Sequence, residues 1–67
     1  MPLTQYIIDM RSLSVSERDK LIETLDRCSE TGLSLAGEHF VFSFYLDSRV
    51  NPETIPGLPV ELLRRVP

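Results

Sequence analysis

The sequence predicts an α+β fold: a single β-α-β unit with parallel strands and a short C-terminal turn/helix segment, assembled into an oligomer. Three observations predict it. Two β-rich stretches with alternating polarity flank one stretch with helical spacing. After residue 47, prolines and a glycine interrupt every regular pattern. A chain of 67 residues buries only about 60 % of the surface exposed by its unfolded form, so it needs outside support.

The first strand runs from Leu3 to Met10. Tyr6, Ile8 and Met10 fall on one face, with Gln5, Ile7 and Asp9 on the other. Ser14-Val15-Ser16-Glu17 reads as a capping box, because a Ser14 hydroxyl can accept from the Glu17 amide while the Glu17 carboxylate reaches back. The helix it opens is placed over roughly 14–31, with Leu21, Ile22, Leu25 and Cys28 on its apolar stripe and Gly32 as the stop. Glu23 and Arg27 form a favourable i,i+4 pair. After a loop containing Gly37, residues 39–46 alternate most clearly. Phe40, Phe42, Phe44 and Leu46 share the face expected to pack on the helix, and His39, Val41, Ser43 and Tyr45 share the other. Val41, Tyr45 and Ile7 keep that second face apolar enough to predict an interface. Pro59 is expected to open a final helix over Val60 to Val66. No repeat is read, and residues 1–67 form one domain. An eighteen-residue helical crossover predicts that the two strands are parallel neighbours.

Composition narrows the function. The net charge of −3 argues against nucleic acid, where phosphate neutralisation needs clustered Lys and Arg. Cys28 is the only cysteine, which excludes an internal disulfide. With His39 it makes two soft ligands, fewer than a zinc site takes, so no metal is expected. No apolar run reaches the roughly 20 residues of a membrane helix. Met-Pro-Leu-Thr-Gln has no signal-peptide character, and a single free thiol points to the cytoplasm. Oligomerisation is left as the source of support.

A proline after the initiator Met, the β-α-β order and Asp9-Met10-Arg11-Ser12 at the strand end together resemble the 4-oxalocrotonate tautomerase family. Leu13-Ser14-Val15, Asp9-Met10-Arg11 and Lys20-Leu21-Ile22 are also similar to the 3-chloroacrylic acid dehalogenases of that superfamily. The likeness covers residues 2–47. It implies a cofactor-independent isomerase working on a small carboxylate-bearing keto or enol acid. Pro2, freed of Met1, would be the general acid/base, its amine kept neutral by desolvation and a nearby cation. Arg11 would hold the substrate carboxylate. Arg49 and one of Phe44 or Tyr45 are the substrate-binding candidates that a neighbouring subunit would supply. The implied partner is another copy, in a dimer, trimer or hexamer, or a homologous subunit. The rival readings are a catalytically silent tautomerase-fold subunit and a protein-interaction module. Outside this set, Asp47 reads as a turn former, His39 as structural and Cys28 as a small buried hydrophobe.

Overall fold

The computed structural model describes residues 2–67. Its elements are β1 (Leu3–Asp9), α1 (Val15–Cys28), β2 (Ser34–Leu35), β3 (Val41–Asp47) and β4 (Leu63–Arg65), with 3₁₀ turns at Pro52–Thr54 and Val60–Leu62. The strands form one sheet in the order β2-β3-β1-β4, and every neighbouring pair is antiparallel.

That overturns the parallel pairing expected from the sequence. The chain leaves α1, forms the two-residue β2, and reverses through a tight hairpin before β3 begins. Gly37 (φ 89°) and Phe40 (φ 63°) take the positive φ values of that hairpin. A reversal after the crossover means that β1 and β2 run the same way, and that β3 lies between them in the opposite sense. The helical crossover does deliver a parallel strand. It delivers the short one.

The capping box forms as read: Glu17 N–H donates to Ser14 Oγ at 3.2 Å and Ser14 N–H to Glu17 Oε1 at 3.0 Å. The helix ends at Cys28, capped by Ser29, well before Gly32. Its buried Leu21 and Leu25 meet Ile8, Met10, Phe44, Leu46 and Leu58 in the core. The C-terminal segment also differs from expectation. Val60–Leu62 makes a single 3₁₀ turn and Leu63–Arg65 then pairs with β1, where a helix to Val66 was expected. Tyr6, Ile8 and Met10, with Phe42, Phe44 and Leu46, face the helix side as their alternation requires. Phe40 does not join them: it is 43 % exposed, outside β3, with the Arg18 guanidinium 3.8 Å from its ring centre.

The accessible surface is 4517 Å². A compact monomer of 7.7 kDa exposes about 4300 Å². Leu58, Ile55, Leu62 and Leu63 join the hydrophobic cluster from the C-terminal segment. No helix among the described residues is long and apolar enough to cross a membrane.

Candidate functional site

Each central strand ends in the same short sequence, aspartate, any residue, arginine. At the end of β1, Asp9 Oδ1 accepts the Arg11 backbone N–H at 2.9 Å and its Nε–H at 3.0 Å, while Nη2 donates to Oδ2 at 2.8 Å. At the end of β3, Asp47 repeats the arrangement on Arg49, with 2.9 Å, 3.1 Å and 2.7 Å in the same order. The backbone bond is an aspartate turn, and it places the guanidinium parallel to the carboxylate for a forked pair. These bonds hold both carboxyls down to about 2, first through the arginine side-chain hydrogen bonds and then through the backbone one. Arg11 also donates from Nη1 to Glu38 Oε2 at 2.9 Å. Its guanidinium therefore already serves two carboxylates.

The two forks sit at opposite ends of the sheet, because β1 and β3 are antiparallel. Pro2 lies beside the second one. Its carbonyl accepts the Ser48 N–H at 3.1 Å, and Thr4 Oγ1 meets Ser48 Oγ at 2.8 Å. Tyr45 belongs to the same end, where with Leu3, Gln5, Arg65 and Val66 it bounds a shallow recess of about 650 Å³. Pro2, Tyr45 and Arg49 thus belong to one end of the sheet. Arg11 is not with them: the length of β1 intervenes, on the order of 20 Å at 3.3–3.4 Å per residue. Phe44 is fully buried in the core, its ring stacked on Tyr6 with centroids 5.8 Å apart, so it reaches no surface site. Met1, whose removal would free the Pro2 nitrogen, lies outside the described residues.

The other face of the sheet is a second candidate surface. Its cross-strand pairs are Leu3·Asp47, Gln5·Tyr45, Ile7·Ser43 and Asp9·Val41. Each joins one apolar to one polar residue, and the apolar member changes strand at every step. Leu3, Tyr45, Ile7 and Val41 consequently form a zigzag stripe along the strand pair, for diagonal neighbours on one face of a pair lie within reach of each other. Leu3 is 42 % exposed, Ile7 and Tyr45 are half-buried, and Val41 is almost covered at 9 %. The stripe was legible in part, since Ile7, Val41 and Tyr45 alternate as read. Its continuity was not, because it depends on antiparallel register.

Sequence reasoning missed Arg18. From α1 it donates through Nε to Met10 O at 3.0 Å and through Nη2 to Arg11 O at 3.3 Å, besides covering Phe40. It satisfies carbonyls where β1 stops. No signal beyond its helical position could have found it. His39 makes a ring contact with Phe40, centroids 6.3 Å apart. Among the described residues no cluster of three or more His, Cys, Asp or Glu side chains is placed to hold a metal. The chain matches no family model, and no curated protein or solved structure is similar to it.

Proposed function

We propose that the chain is a protein-interaction module that docks through the helix-free face of its sheet, against a flat protein surface with an apolar centre and little net charge. The observation that supports this is the zigzag of Leu3, Tyr45 and Ile7, bracketed by two aspartates each forked to its own arginine, with Arg11 serving Glu38 as well. Such a face gains from apolar contact at its middle, while its ion pairs fall at the rim, where their guanidinium groups stay in water. The test is a photo-crosslinking benzoylphenylalanine at position 45, with one at position 23 on the exposed side of α1 as control. Discrete adducts from position 45 that vanish with Ile7→Lys, and none from position 23, are expected. No adduct from position 45 sinks the reading.

The tautomerase reading draws support from one observation, that Pro2, Tyr45 and Arg49 all belong to the same end of the sheet. In this reading an arginine other than Arg11 of the same chain would receive the small carboxylate, Arg65 or Arg49 being the candidates at that end of the sheet, and no cofactor takes part. The amine must be free, because a Met1–Pro2 amide has no basic lone pair. Intact mass of the natively expressed chain decides that point first. If Met1 is absent, ketonisation of 2-hydroxymuconate should fall to background in Pro2→Ala. An unchanged rate, or full retention of Met1, ends this reading.

A further inference from the structure

The strand ends share more than their forks. Tyr6-Ile7-Ile8-Asp9-Met10-Arg11 on β1 and Phe44-Tyr45-Leu46-Asp47-Ser48-Arg49 on β3 match as aromatic, large apolar, aliphatic, Asp, any residue, Arg. This is a repeat that sequence reading had not recognised. Tyr6 pairs with Phe44 in the antiparallel register, so the two copies of the hexad are related by a local two-fold axis through that pair, normal to the sheet. On the helix-free face the axis exchanges Ile7 with Tyr45, Gln5 with Ser43, Leu3 with Val41 and the Asp9 fork with the Asp47 fork.

We infer that the partner covering this face is a second copy of the same chain, in an isologous pair. The inference rests on the docking reading above and names its partner. A second copy presents an apolar stripe of the same length, and the local two-fold puts the middle of that stripe at the middle of the β1·β3 pair in both copies. An isologous contact sets each patch against its twin, so the apolar stripe of one copy lies on that of the other. Charge agrees with this. Glu17, Asp19, Glu23 and Asp26 all project from α1, on the opposite side of the sheet, so two acidic chains meet through their least acidic surface. Arg64, exposed at the β4 edge, falls on the rim, where a charge stays in water.

Size sets the strength. The two seven-residue central strands, some 23 Å long, and the edge strands of two and three residues, all about 4.8 Å apart, present roughly 310 Å² in projection, well under half of the ~800 Å² per partner of a standard interface. The pair is accordingly weak and calls for high concentration to form. The core cluster lies on the helix side of the sheet, so substitutions of Ile7 and Tyr45 on the opposite face leave its members in place.

Sedimentation equilibrium of the purified chain from 10 µM to 1 mM tests it. The mass should rise from 7.7 kDa toward twice that value, while Tyr45→Lys and Ile7→Lys stay monomeric with unchanged far-UV circular dichroism. A wild-type monomer at 1 mM, or assembly beyond a pair, overturns the inference, as does pairing that persists in both variants. If position 45 still crosslinks specifically to some other protein, the docking reading stands and only the second copy fails. If it crosslinks to nothing, both fall together.

Discussion

Asp47 is the one charged side chain among the described residues that is buried, at 8 % exposure, and it remains ionised because Arg49 meets it with three donors. Its folded pKa of about 2 lies below the ordinary 3.8. A depressed carboxyl contributes stability that is present above the unfolded pKa and drains away as pH falls through the folded one. Asp9 is lowered in the same way, so the loss should be concentrated between pH 4 and pH 2. Asp47→Asn keeps an acceptor for the Arg49 amide but removes the charge. The urea midpoint of that variant should be lower at pH 7 and should fall less between pH 5 and pH 2 than that of the parent. Equal slopes would show that the fork contributes nothing through its charge. The residue types of both forks were plain in the sequence. Their pairing was not, because a spacing of two residues has no partner meaning on a strand and acquires one only when the chain turns sharply after the aspartate.

At the scale of elements, local chemistry read well wherever it was self-contained. The capping box needs only four consecutive residues, and it forms with both of its hydrogen bonds. Ser14→Ala should cost about 1 kcal/mol, and in a domain of this size that lowers Tm by about 4–8 °C. Thermal unfolding followed by circular dichroism measures it, and a Tm within 1 °C of the parent would show that the helix start is held by packing instead. Alternation likewise assigned Ile8, Met10, Leu21, Leu25, Phe44 and Leu46 to one core. What failed was β2. Two residues carry no periodicity, so Ser34-Leu35 looked like loop, and a strand direction depends on counting every reversal. Phe40 failed for a related reason. Its positive φ ends the alternation one residue before β3 begins, and Arg18 rather than the core receives its ring. An aromatic residue in the left-handed region is uncommon and is retained where its surroundings compensate.

For the whole molecule, the expectation of an incomplete core came from length alone. Length does not show that the proline-rich tail returns to the sheet. Leu58 is buried and Leu63 lies against the same cluster, so the segment that looked least regular supplies the lid of the core. The register of β1 with β3 also constrains how the chain is made. Partners in that ladder stand 32 to 44 positions apart, from Asp9·Val41 to Leu3·Asp47. Loops that long must close before the ladder yields any contact, which slows folding relative to a chain of local contacts. On a ribosome, where synthesis runs N-terminus first, β1 emerges early and waits unpaired until residue 47 has cleared the exit tunnel. Helix α1 can form in that interval, the oldest strand then pairs with β3, and β4, the last to emerge, closes its other edge.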